Sequence, residues 1–204
     1  MWSIVIQSGG ESSRMGTNKA LLPFLGQPLI TRVIERLKGL GDEVLVTTNQ
    51  IDRFEFLHLP LFADILPGKG ALGGLYTALF SAKFPLVGVV ACDMPFASAA
   101  LLDYERCVLE TEGVDVVIPA TRQGYEPLHA VYRRAACLPA VETALKHEQH
   151  RLISWFPKVK VRVLTQDEII ARDPDGKAFL NINTPDELTQ AESLALSARP
   201  NQSL

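Results

Sequence analysis

A chain of 204 residues with 47% apolar and 21% charged side chains has ordinary globular composition, and enough length to bury a core without disulfide or metal staples. Its net charge of −3 argues against nucleic acid or an anionic membrane as partner, since both favour a basic surface. Three cysteines (Cys92, Cys107 and Cys137) without a C-x-x-C spacing argue against a disulfide framework or zinc site, and no apolar stretch reaches the roughly 18 residues of a membrane span.

Met1-Trp2-Ser3 runs straight into a β-like stretch, without the basic and long apolar regions of a signal peptide. With reduced thiols, this predicts a cytoplasmic protein. Residues 3–8 (SIVIQS) predict a short buried strand that ends in a Gly-rich loop. Residues 28–40 carry Leu29, Ile30, Val33, Ile34 and Leu37 at helical spacing, with Pro28 near the start and Gly39 or Gly41 at the end. Residues 43–48 predict a second strand, 71–82 a helix, 86–91 a third strand ending at Cys92-Asp93, 98–111 a helix and 114–119 a fourth strand. This alternation of apolar strands and helices predicts an α/β protein with parallel strands and crossover helices.

The pattern changes after Thr121. Residues 128–133 read as a strand and 136–146 as a helix, while 159–164 (VKVRVL) alternate as an edge strand would. Residues 178–183 (AFLNIN) look strand-like. Thr184-Pro185 then opens a last helix, with Glu187 placed to complete a capping box. No repeat or linker divides the chain, so residues 1–196 are expected to form one domain, followed by a mobile tail at 197–204.

Three constellations carry chemistry. The first is Gln7-Ser8-Gly9-Gly10, continuing through Arg14 and Gly16 to Lys19. Adjacent glycines let backbone N–H groups form an anion-binding concavity; Arg14 suits bidentate phosphate contact and Lys19 acts as a point charge. The spacing fits neither a Walker A loop nor G-x-G-x-x-G. The second is Asp93, a hard oxygen donor at the carboxyl end of a buried strand, where open α/β sheets bind ligands. The third is Asn181-Ile182-Asn183, whose two amides share one side at strand period. His129 reads as a packed, hydrogen-bonded residue and Cys92 as a small packing residue, not a nucleophile.

The run G-G-x-S-x-R-M-G-x-x-K after the first strand resembles the signature of nucleotidyltransferases with a Rossmann-like fold. Cys92-Asp93-Met94-Pro95 and Asn181-Ile182-Asn183-Thr184-Pro185-Asp186-Glu187-Leu188 narrow the resemblance to the molybdenum cofactor guanylyltransferases, and it spans residues 4–188. Departures are Gln7-Ser8 where the family has Leu-Ala, Thr47 where some relatives have Asn, and a missing middle Pro at Pro67-Gly68-Lys69-Gly70. The resemblance implies a three-layer fold with a mostly parallel mixed sheet. Its N-terminal half would bind the NTP and its C-terminal half the acceptor.

It further implies transfer of GMP from GTP to the molybdenum-molybdopterin cofactor, with Mg²⁺ at Asp93 and with molybdoenzymes or cofactor-insertion proteins as possible partners. Arg14, Lys19 and Asp93 would be catalytic. Gln7, Ser8, Gly9, Gly10, Lys19, Thr47, Asn49, Asp64 and Asp93 would contact nucleotide, with Asp64 near the guanine, and Asn181 and Asn183 would contact the acceptor. A cytidylyl- or sugar-phosphate transferase of the same fold, and a non-catalytic nucleotide- or cofactor-binding protein, stay open as alternatives.

Overall fold

The computed structural model describes residues 1–9 and 18–197. Strand β1 (Trp2–Ser8) is buried along its whole length. After a single 3-10 turn at Lys19–Leu21, β2 (Pro23–Phe24) and β3 (Gln27–Pro28) pair as a small hairpin. Its turn places Leu25 at φ 50° and Gly26 at φ 84°. A two-residue hairpin that matches strand twist needs both central residues in this region; Gly26 reaches it freely, whereas Leu25 is strained.

Helix α1 (Leu29–Leu37) turns Leu29, Ile30, Val33 and Leu37 inward, as their spacing predicts. Then come β4 (Glu43–Thr48), β5 (Leu61–Phe62), α2 (Gly70–Ser81) and β6 (Leu86–Ala91). Helix α3 (Ala99–Glu112) is capped by Ser98, whose hydroxyl oxygen accepts from the Leu101 amide at 3.2 Å. The chain continues through β7 (Val116–Thr121), β8 (Gly124–Tyr125), β9 (His129–Arg133) and α4 (Arg134–Lys146). It closes with β10 (Val161–Leu164), α5 (Gln166–Ile170) and α6 (Pro185–Ser197).

The main sheet runs β10-β7-β9-β6-β1-β4-β5, with β8 paired to β7. Within that run β9 is antiparallel to both neighbours and the other pairings are parallel. Gln7 lies opposite both Thr47 and Ala91, so the carboxyl ends of β1, β4 and β6 finish together. The chain leaves β1 for β4 on one side and later crosses to β6 on the other. That reversal opens a crevice beyond the strand ends, the usual ligand position in such sheets.

Both faces of the sheet are covered. Ile4, Ile6, Val90 and Val117 pack with Leu37 of α1 and Leu102 of α3, while Val5, Leu45 and Val89 pack with Leu79 of α2 and Val141 of α4. The alternation of Ile4 and Ile6 with Val5 explains why β1 reads as an unbroken apolar run. A third cluster joins Phe24 of the hairpin, Phe96 and Ile182 to Ala191 and Ala195 of α6. It fastens the C-terminal helix to the N-terminal half.

Two expectations are corrected. Residues 178–183 are not a strand: the segment makes a turn and then an irregular stretch whose Ile182 amide donates to the Asp93 carbonyl at 3.0 Å. Its burial does not alternate as a strand's would: Ala178 and Ile182 are buried, Leu180 between them is exposed, and Ile182 docks into the third cluster. Ser197, expected in the tail, closes α6, and the remainder of that tail lies outside the described residues. The predicted capping box at α6 is present: the Glu187 carboxylate accepts from the amides of Asn183 (2.6 Å) and Thr184 (3.0 Å), and the Glu187 amide donates to the Thr184 hydroxyl (3.2 Å). No helix among the described residues is long and apolar enough to cross a membrane.

Candidate active site

Lys19, Asp93 and Asn183 meet at the carboxyl end of β6, although Lys19 and Asn183 are 164 positions apart in the chain. Asn18 caps the 3-10 turn that presents Lys19, accepting from the Ala20 amide at 3.1 Å. Lys19 Nζ donates to Asn183 Oδ1 at 2.6 Å and stands 3.8 Å from Asp93 Oδ2. About a fifth of each charged side chain remains exposed, 21% for Lys19 and 20% for Asp93. Asp93 is fixed from behind, because its carbonyl accepts from Ile182 and the Cys92 amide donates to the Gln7 carbonyl at 3.1 Å.

Burial pushes the Asp93 carboxyl above its usual range; the Lys19 ammonium pulls it back, and the Glu187 carboxylate adds to the rise. The Cys92 thiol is pushed up to about 12, first by desolvation and then by the charge of Asp93. That suits a packing residue, since the thiolate is the reactive form. Asn181 and Asn183 are both exposed and flank buried Ile182. Ser8 ends β1 beside Cys92 and Gly9 follows it; Gly10 and Arg14 lie outside the described residues.

The residues expected to contact nucleotide form a second group. Asn49 and Asp64 bond reciprocally, Asn49 Nδ2 donating to Asp64 Oδ2 at 2.7 Å and the Asp64 amide to Asn49 Oδ1 at 2.8 Å. Asn49 therefore holds the loop that presents Asp64. Gln7 and Thr47 are 3% and 1% exposed. Their side chains lie inside the end of the sheet.

Gln7 Nε2 donates to the Ala71 carbonyl at 3.1 Å, against the first turn of α2. That position exists because Gly74 lacks a side chain: a Cβ there would sit 2.3 Å from Gln7 Nε2. The Gly73-Gly74 pair inside a helical stretch is the sequence signal that could have revealed this contact. Gly74→Ala should cost about 1–3 kcal/mol by overpacking. Chemical denaturation of Gly74→Ala and of the Gln7→Ala/Gly74→Ala double variant checks it, and the double variant should recover most of the loss.

His129 is fully buried and packed as the sequence suggests. Its Nε2 accepts from the Ser98 amide at 3.2 Å, which leaves the ring proton on Nδ1, 3.1 Å from Glu105 Oε1. Glu105 Oε2 is buried without a partner among the described residues. Burial raises the Glu105 carboxyl from 4.5 to about 7, against the pull of His129. A raised acid favours the fold in its protonated form. That contribution is complete below about pH 4.5 and is lost as pH rises through about 7. Relative to Glu105→Gln, the wild type should lose roughly 2 kcal/mol of stability between pH 5 and pH 8. Urea midpoints of the two proteins across this range test the sign.

Residues 4–161 match the family of MobA-like NTP transferase domains. The "Probable molybdenum cofactor guanylyltransferase" of Pelotomaculum thermopropionicum is 36% identical over 195 residues, covering 96% of this chain and 94% of the relative. The crystal structure of molybdopterin-guanine dinucleotide biosynthesis protein A from Archaeoglobus fulgidus superposes with a TM-score of 0.83 at 26% identity, covering 96% and 99% of the two chains. The 2-C-methyl-D-erythritol 4-phosphate cytidylyltransferase from Thermus thermophilus shares the fold, with a TM-score of 0.67 at 18% identity over 94% and 98% of the chains. The chain belongs to the MobA-like NTP transferase family, and its sheet is the Rossmann-like nucleotidyltransferase fold. Its chemistry is nucleotidyl transfer.

Proposed function

We propose that this chain transfers GMP from GTP to the terminal phosphate of the molybdenum-molybdopterin cofactor, forming the guanine dinucleotide and pyrophosphate. The observation that carries the proposal is the convergence of Lys19, Asp93 and Asn183 at the strand ends, on a chain whose relatives bear guanylyltransferase names. An acceptor phosphate oxygen attacks the α-phosphorus of GTP. The bond from the α-phosphorus to the oxygen bridging to the β-phosphate breaks, and pyrophosphate leaves with that electron pair. The acceptor is already anionic near neutral pH, so no general base is needed. This agrees with a buried His129 whose two ring nitrogens are already engaged.

Lys19 neutralises the departing phosphates, backbone groups at Ser8 and Gly9 border the triphosphate, and Asn183 orients the acceptor side. Gly10 and Arg14 complete the phosphate loop by analogy with the family motif. Asp64, held by Asn49, reads the guanine edge, because a carboxylate accepts from both a ring N–H and an exocyclic amine. The donors present fit magnesium. Among the described residues no three acidic, His or Cys groups form a metal cluster, and a lone carboxylate such as Asp93 suits an ion that takes its remaining ligands from phosphates and water. When bound at Asp93 the ion supplies charge neutralisation at the α- and departing phosphates. Pyrophosphate release from each NTP, with and without molybdopterin, tests the proposal. Release with GTP alone and only with the pterin is expected. Release with CTP would discard the base assignment.

A further inference from the structure

A cavity of about 560 Å³ opens beyond the carboxyl end of β7, away from Asn49 and Asp64, and none of the residues assigned above lines it. Its volume falls within the ~300–1,000 Å³ typical of small-molecule sites. Thr121 and Arg122 border it on the sheet side, Ile170 of α5 and half-buried Phe179 give it apolar walls, and Asp173 and Asp175 add carboxylates.

The far wall is built by residues 172–182, and both ends of that segment are bolted to the stretch that carries Asp93. The Ser98 hydroxyl donates to the Arg172 carbonyl at 3.3 Å, and the Ile182 amide donates to the Asp93 carbonyl at 3.0 Å. Midway, Phe179 meets the His129 ring edge-on at 5.4 Å between centroids. From Phe179 to Ile182 the backbone spans at most about 11 Å. The sheet gives a similar distance: β9 alone separates β6 from β7, so two strand spacings amount to roughly 10 Å. The cavity therefore lies about one fused-ring molecule from the candidate reaction centre, on the side opposite the nucleotide residues.

We infer that this cavity seats the pterin end of the acceptor, with the acceptor's phosphate reaching back to Asp93. The inference rests on the reading of the chain as a transferase to a pterin phosphate. A pterin is flat and presents an amino-pyrimidinone edge of N–H donors. Phe179 and Ile170 offer apolar surface for its rings, and carboxylates are the side chains that accept two such donors together. Asp173 is buried and its Oδ2 accepts from the Ala178 amide at 2.8 Å; Asp175 Oδ2 accepts from Lys177 Nζ at 3.1 Å, but this ion pair is a surface one and the Asp175 side chain is 67% exposed, so Asp175 is the more open reader of that edge.

Asp175→Asn and Ile170→Lys test the assignment at exposed positions that the fold does not need. Each should raise the KM for molybdopterin about tenfold and leave the KM for GTP within twofold. Quenching of free pterin fluorescence by the full chain should weaken in parallel. Unchanged acceptor KM and unchanged quenching in both variants would overturn the pocket while leaving the guanylyl-transfer reading intact. A wild-type chain without pterin-dependent pyrophosphate release would sink that reading. In that case pterin quenching that Asp175→Asn abolishes would still support the pocket, and an absence of quenching would remove it too.

Discussion

Asp93→Asn is expected to lower nucleotidyl transfer by at least about 1,000-fold while leaving the fold intact. Asp93 is the carboxylate at the strand-end crevice that faces Lys19, and the substitution keeps its shape while removing the charge that would hold magnesium. Stability should not fall in step. Burial already disfavours the ionised form of Asp93, so replacing it by a neutral amide removes a desolvation cost along with the attraction to Lys19. Denaturation midpoints close to wild type, together with lost turnover, would separate catalysis from folding. Retained magnesium-dependent turnover in Asp93→Asn would remove the metal assignment.

Lys19→Ala should slow transfer by about 100- to 1,000-fold, the usual cost of removing one preorganised group that stabilises developing charge. The effect should appear mainly in kcat, because charge accumulates on the departing pyrophosphate as the bond breaks. Lys19 also joins the two halves of the site through Asn183. Asn183→Ala separates the two roles: it removes that joint but keeps the ammonium, so its loss of kcat should be clearly smaller. Equal losses in the two variants would make the bond, rather than the charge, the functional feature.

Much of this architecture was legible before any coordinates. Residues 43–48 and 86–91 have the apolar runs of doubly covered strands and fall where the structure has them. The edge position of residues 159–164 followed from their alternation, and among the described residues β10 pairs only with β7. The capping box of Thr184 and Glu187 is local chemistry and was readable as such. What was hidden depends on distant contacts. The reversal of β9 was unreadable because a five-residue run such as His129–Arg133 looks the same in either direction. The hairpin before α1 was missed because its strands have two residues each and its turn uses Leu25.

The same division holds at the candidate site. Lys19 stood out as the cation closing the Gly-rich run, and Asp93 through residue type and position at a strand end. The Asn49–Asp64 bond carries no local signature, since it joins separate elements, and the seat of Gln7 beneath Gly74 is signalled by nothing more than the Gly73-Gly74 pair in a helical stretch. The segment around Ile182 imitated a strand through its apolar residues, but Ile182 is held by docking against Asp93 and the α6 cluster and not by a sheet ladder. The buried Glu105–His129 pair joins α3 to β9, and only the antiparallel placement of β9 brings it together.

The most direct test of nucleotidyl transfer follows the label from α-³²P-GTP in the presence of magnesium and molybdopterin. Label recovered in a pterin-containing dinucleotide, and absent with Asp93→Asn, is the expected result. Label left in GTP, or released as free GMP without a pterin product, would contradict it.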